Sequence, residues 1–317
     1  QRRLLGQSWW IQRGVRRQDE GREDWYDLIF IPVDRELSQV LGLITPSMAG
    51  KEGQQREADF QVLGRLIRFF GDREQQHERL QEILTLAREQ QMSLLPPELP
   101  SLPGYQAAQR SVPAQEVGGD YHQIIPLGPG SFAAAVADAK GKGFEAAVLV
   151  TALHATLHVV NATPFEVAHK VRLINRSLAE QGKQRNLISL FYGEFDDQGR
   201  LLYVNCSHPS PIVVRSDGLE ELADGGLFLG LDPASEYRMG VCDLRSGDLL
   251  VAYTDGWTEL SNEQNEEFGA ERLREAVRPA HGAAPHSVID LIEKACDAFR
   301  NELPFHDDRT LLVIRRD

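Results

Sequence analysis

The chain is poor in cysteine. Cys206, Cys242 and Cys296 are scattered through 317 residues, with no Cys-x-x-Cys pair. That spacing excludes a disulfide framework and a cysteine zinc site, and it fits a reducing cytoplasm. No apolar run of about 18 residues occurs, so no membrane-spanning helix is expected, and no secretory signal is visible. Basic charge is also short: 34 Lys and Arg stand against 47 Asp and Glu, a net charge of −13. Nucleic acid is therefore not the expected partner, because no broad basic surface remains to neutralise phosphates. The exception is the start, where Arg2, Arg3, Arg13, Arg16 and Arg17 precede any acidic residue and read as a solvated tail. Because the first residue is Gln1 and not Met, the chain reads as a piece of something longer.

Acidic residues in short turn-like motifs are what the chain does have. Asp120 follows Val117-Gly118-Gly119, Asp138 sits between Val136-Ala137 and Ala139-Lys140-Gly141-Lys142-Gly143, Asp255 lies in Tyr253-Thr254-Asp255-Gly256, and Asp307 precedes Asp308-Arg309-Thr310. Three of them flank strand-like apolar runs: Phe132 to Ala137, Leu249 to Tyr253, and Thr310 to Ile314. Carboxylates at strand ends beside glycine suit a hard cation, since oxygen ligands select Mg²⁺ or Mn²⁺ and glycine permits close backbone approach. A single Asp-Gly marks no more than a turn. Four such motifs in order point to a site.

Together with Leu94-Leu95-Pro96-Pro97-Glu98-Leu99-Pro100, Pro113-Ala114 and Ser207-His208-Pro209-Ser210-Pro211, these motifs closely resemble the SpoIIE/RsbU-type serine/threonine phosphatases. Those form the bacterial branch of the PPM (type 2C) metal-dependent phosphatases, and the resemblance runs over about residues 94 to 316. It implies a PPM-type β-sandwich flanked by helical layers and two divalent cations, Mn²⁺ or Mg²⁺, that activate water for phosphoester hydrolysis. By the family pattern Asp138 bridges both cations, the Ala139 carbonyl and Asp120 hold one, and Asp255 and Asp307 hold the other. Asp120 and Asp138 are then the catalytic pair. Asp308 supports the ligands from behind, with the choice between Asp307 and Asp308 as direct ligand left open. The implied substrate is a phosphoserine or phosphothreonine protein, by analogy a STAS-type anti-sigma-factor antagonist in a partner-switching pathway.

Four places depart from the family pattern: Ala137 for Gly, Ala139-Lys140 for Val-Ser, Gln123 for a further Asp, and Ser207-His208-Pro209-Ser210-Pro211 for Gly-His-Pro-Pro-Pro. The competing reading is a catalytically weak phosphatase-fold scaffold that binds a regulatory partner, and retention of all four aspartates favours the enzyme. A two-metal nuclease is disfavoured by the acidic balance. His208 is expected to order its proline-rich turn. His154 and His158 belong to a core or interface helix, with no third metal ligand evident. Lys140-Gly141-Lys142-Gly143 lacks the upstream Gly and the following Ser or Thr of a nucleotide P-loop.

Hairpin-like strands and paired helices give an α+β reading. Strands are expected at 105–112, 121–126, 132–137, 187–195, 201–205, 212–215, 248–253 and 310–315, and helices at 144–160, 164–181, 270–278 and 285–301. Residues 1–56 form a partial N-terminal regulatory segment, possibly GAF-like by weak resemblance, with strands at 27–33 and 40–45. Residues 57–95 form a helical linker in which Phe60, Leu63, Ile67 and Phe70 recur at helical spacing, suited to homodimerisation and signalling. The phosphatase domain spans 96–317.

Overall fold

The computed structural model describes residues 10–19, 22–32, 40–46, 99–114, 118–141, 143–180, 187–301, 303, 305 and 307–317. The chain divides into two compact units, Gln1–Ile83 and Leu84–Asp317. The helix expected over 57–91 lies outside the described residues.

In the first unit β1 (Trp10–Asp19), β2 (Arg22–Pro32) and β3 (Val40–Pro46) form an antiparallel sheet in the order β1-β2-β3. The sequence pattern indicates the second and third strands and not the first, whose residues are mostly charged or polar. Its register on β2 places Arg13 opposite Asp27, Arg16 opposite Trp25 and Arg17 opposite Asp24. Arg13, Arg16 and Arg17 therefore belong to a strand and not to a tail.

The second unit is a sandwich of two sheets. One has the order β10-β9-β13-β14-β4 and the other β11-β8-β7-β6-β5, with β12 added on β8. The strands that build the site are β4 (Tyr105–Val112), β5 (Asp120–Gly128), β6 (Ser131–Ala139), β7 (Ile188–Asp196), β13 (Leu249–Tyr253) and β14 (Arg309–Arg316). Helices α1 (Phe144–Asn161) and α2 (Val167–Glu180) cover one sheet, and α3 (Gly269–Val277) and α4 (Pro285–Arg300) cover the other.

Three buried clusters hold these four layers together. Strand β6 shows how the period of two divides them. Ala133, Ala135, Ala137 and Ala139 face α1 and α2, packing with Leu153, Leu157 and Ile174. Phe132, Ala134 and Val136 face the opposite sheet, packing with Leu250, Leu312 and Ile314. On the far side of the second sheet Val251, Leu311 and Val313 meet Leu273, Ile292 and Cys296. A strand buried on both faces reads as a continuous apolar run, which is why β6 and β13 are legible in the sequence. The expected strands and helices of this unit are all present, with ends shifted by up to three residues. The short strands β10 (Gly218–Glu221), β11 (Gly225–Gly226) and β12 (Gly240–Asp243) are additions.

Candidate functional site

The same alternation sends Asp138 toward the space between the sheets. It is even-numbered like Phe132, Ala134 and Val136, so it stands on their face where β6 runs out of the core. Asp120 is its cross-strand partner on β5. From the other sheet, β13 ends at Tyr253 and passes through Thr254 into a 3₁₀ turn, Asp255–Trp257, while β14 begins just after Asp307 and Asp308. Four chain segments, distant in sequence, thus meet at one end of the sandwich.

A cavity of about 790 Å³ opens there, with Asp138, Asp255, Glu259 and Asp307 on its wall beside Ala139, Lys140, Ser189 and His208. Glu259 is an acidic member that the sequence reading passed over. Its signal was the spacing of four from Asp255: the Glu259 N–H donates to the Asp255 carbonyl at 2.8 Å, so one turn carries both carboxylates to the wall. Asp138 is pushed up to about 7 by burial first, then by the negative charges of Asp255, Asp307, Asp308 and Glu259. A carboxyl group so placed favours either a proton or a cation beside it.

Asp120 is not on the cavity wall. It accepts a hydrogen bond from Thr254 Oγ1 at 2.8 Å, and Thr254 Oγ1 in turn accepts from the Thr310 N–H at 2.8 Å. Burial and the facing Asp138 hold Asp120 well above the usual carboxylate range, against the lowering pull of the two threonines. Thr254 and Thr310 are fully buried, so the second sheet clamps a carboxylate of the first.

Asp307 and Asp308 are separated by what they touch. Asp308 accepts the Ala114 N–H at 2.7 Å and the Gly119 N–H at 2.6 Å, one on each oxygen, which ties the start of β14 to the loop before β5. Asp307 lies on the cavity wall. The bond to Asp308 also takes the Gly119 N–H away from the Ala139 carbonyl opposite, although the Ala139 N–H still donates to the Gly119 carbonyl at 3.0 Å. The glycines are required by space. A Cβ on Gly119 would stand 2.9 Å from the Ala139 oxygen, and one on Gly256 would stand 2.0 Å from the Asp308 carbonyl oxygen.

The donors on this wall are hard oxygens, the chemistry that Mg²⁺ and Mn²⁺ prefer, and their mutual repulsion is what a cation relieves. Among the described residues no group of three His, Cys, Asp or Glu side chains is set closely enough to enclose an ion as it stands. The fit is thus one of donor type and shared cavity. Asp138, Ala139, Asp255 and Asp307 share that cavity wall, with Asp120 adjacent through the ladder.

The departures from the family pattern sort by face. Gln123 points to the helix side, where its Oε1 accepts from the Tyr121 hydroxyl and its Nε2 lies 3.2 Å from His158 Nε2. Tyr121 also meets His154 Nδ1 at 3.2 Å, so the two histidines join α1 to β5 on the side away from the carboxylates. His208 is buried and kept neutral, its pKa lowered to about 3 by burial. Its Nδ1 lies 2.8 Å from Ser189 Oγ and its N–H donates to Asn205 Oδ1 at 2.8 Å, which orders the turn after Ser207. A neutral buried imidazole is a poor general acid at neutral pH.

A two-sheet sandwich between helical layers, with carboxylates gathered at one end of it, is the architecture of the PPM, or PP2C-type, phosphatases. The SiaA-PP2C domain of Pseudomonas aeruginosa shares the fold, with a TM-score of 0.68 at 19% identity over 76% of this chain and 98% of that one. Residues 128–317 match the family model described as Stage II sporulation protein E (SpoIIE). The chain belongs to that family, and its catalytic unit is a serine/threonine phosphatase of the PPM type. Protein IcfG of Synechocystis is 27% identical over 263 residues, 74% of this chain, and the match covers 41% of the length of IcfG. Phosphoserine phosphatase RsbU of Bacillus subtilis is 26% identical over 261 residues, covering 78% of this chain and 76% of RsbU.

Proposed function

We propose that this chain removes phosphate from phosphoserine or phosphothreonine of a protein in a partner-switching pathway, using divalent cations held by Asp138, the Ala139 carbonyl, Asp120, Asp255 and Asp307. The observation that carries this is the convergence of Asp138, Asp255, Glu259 and Asp307 on one cavity that Asp138 enters with its pKa raised to about 7. Bound Mg²⁺ or Mn²⁺ supplies an acidified water and neutralises charge on the phosphate oxygens. The chain's own residues fix the geometry. Thr254 orients Asp120, Asp308 anchors the loop that carries Gly119, and Ser189 and His208 pack against the strand of Asp138.

The similarity to RsbU supports a phosphoserine protein as substrate, by analogy a STAS-type anti-sigma-factor antagonist. The three cysteines are buried and unpaired, in keeping with a cytoplasmic setting, and no helix among the described residues is long and apolar enough to cross a membrane. Pairing of two chains through residues 57–91 is part of the same proposal, carried by the apolar spacing alone. Light scattering on this chain and on one beginning near Ser93 tests it, and monomers with equal activity in both would remove it.

The test of the activity is hydrolysis of p-nitrophenyl phosphate and of a phosphoserine peptide with added Mn²⁺ or Mg²⁺. Activity that depends on the metal and disappears in excess chelator is expected. Full activity in chelator would remove the metal reading, and metal binding without turnover would favour the scaffold.

A further inference from the structure

Phe228 is a large apolar side chain left 40% exposed, and it lines the same cavity as the carboxylates. Scattered exposed apolar residues are ordinary on protein surfaces. This one is held in place by the backbone. Ile188 and Leu229 form an antiparallel bridge, with the Leu229 N–H donating to the Ile188 carbonyl at 2.9 Å and the Ile188 N–H to the Leu229 carbonyl at 3.2 Å. Ile188 is in turn the cross-strand partner of Ala139. Ala139, Ile188 and Leu229 therefore form one row, all buried toward α1 and α2.

One step along each segment gives the next row: Asp138, then its partner Ser189, then Phe228, all facing the cavity. With neighbouring strands spaced about 4.8 Å apart, Phe228 stands roughly 10 Å from Asp138. Lys140 follows the last residue of β6, two positions after Asp138, and lines the same cavity. It is exposed, lines the cavity, and makes no ion pair with the described residues. A cation and an apolar ring thus share the cavity wall with the carboxylates.

We propose, resting on the phosphatase assignment above, that Lys140 and Phe228 form the docking site for the phosphoserine segment of the protein substrate. Lys140 pairs with the phosphate dianion, and Phe228 receives an apolar side chain within two residues of the phosphoserine. Charge complementarity selects this occupant. A phosphate entering a cavity walled by carboxylates gains from a cation at the rim. An extended peptide advances about 3.5 Å per residue, which carries its second neighbour about 7 Å along and leaves Phe228 within reach of that neighbour's side chain. An exposed ring covered by such a side chain contributes at the level of a fivefold preference.

The experiment uses the full chain with Mn²⁺ and three substrates: p-nitrophenyl phosphate, a phosphoserine peptide with Leu two residues to either side, and the same peptide with Gly at those positions. The expected kcat/KM is about fivefold higher for the Leu peptide. The gap closes in Phe228→Ala and is largely kept in Phe228→Leu. Lys140→Gln raises KM for both peptides and leaves the Leu preference intact. Equal rates for the two peptides with the unaltered chain, or a gap that survives Phe228→Ala, would overturn the proposal. So would a Phe228→Ala change that alters oligomeric state while the peptide gap persists, which would assign the ring to a second copy of the chain. Loss of all three activities would instead overturn the phosphatase assignment itself, and the docking site with it.

Discussion

Asp120 and Asp138 stand directly opposite one another on adjacent antiparallel strands. The Ala139 N–H donates to the Gly119 carbonyl one step along the ladder, which makes Asp120 and Asp138 a non-hydrogen-bonded pair, the kind in which side chains approach closest. Two like charges in that position destabilise a sheet. Burial first and then negative neighbours raise both carboxyls above their ordinary range. Asp138 is that neighbour for Asp120, and Asp255, Asp307, Asp308 and Glu259 are those for Asp138, while two threonines from the opposite sheet pull Asp120 back. The arrangement is costly for stability and useful for cation binding, and most of what can be tested follows from it.

Asp138→Asn and Asp255→Asn should each lower turnover on p-nitrophenyl phosphate by roughly 100-fold or more at saturating Mn²⁺, because each removes a charge from the cation site. Asp138→Asn should also raise the melting temperature of the metal-free protein by roughly 2–8 °C, the equivalent of about 1–2 kcal/mol of relieved repulsion. Differential scanning calorimetry with and without Mn²⁺ reads both effects. Near-unaltered turnover in either variant would remove that residue from the ligand set.

Thr254→Val keeps the shape of the side chain and deletes the hydroxyl that donates to Asp120. Loss of a hydrogen bond to a charged group costs about 1.5 kcal/mol, so Mn²⁺ binding followed by electron paramagnetic resonance should weaken roughly tenfold. Thr254→Ser restores the donor and should restore the affinity. Equal binding by the valine and serine variants would make Thr254 a packing residue only.

Asp307 and Asp308 should separate cleanly. Asp308→Ala leaves the Ala114 and Gly119 N–H groups without their acceptor and should cost about 2 kcal/mol, or roughly 4–8 °C in Tm. Asp307→Ala should leave the melting temperature of the metal-free protein within a few degrees and remove most activity. The reverse pattern would exchange their roles.

His208 should contribute to acid sensitivity. Its folded pKa lies near 3, below the ordinary value of 6.5, so the unfolded chain binds the extra proton between those limits. Stability therefore rises with pH across that window and is fully present above about 6.5. Its loss on acidification approaches about 1.4 kcal/mol per pH unit for one group. Tm measured from pH 7 to pH 4 should fall less steeply in His208→Gln than in the unaltered chain, and parallel curves would show that another group carries the acid response.

Local pattern determined much of this protein. Strand β6 was legible because both of its faces are buried and its apolar run is unbroken, and α4 because Pro285 opens it and its apolar residues recur with helical period. Four aspartate motifs and their family resemblance located the site. The sequence could not show β1, whose mostly polar residues carry no strand-like apolar pattern and which the backbone ladder to β2 defines. Nor could it show which carboxylates share a cavity, since Asp138 and Asp307 come from different sheets and meet at the end of the sandwich. Period-two alternation assigns a side chain to one of two faces, and only the packing of the sheets decides what that face meets. That is why Gln123 turned out to face α1, Asp308 to hold a loop, and Glu259 and Thr254 to belong to the site.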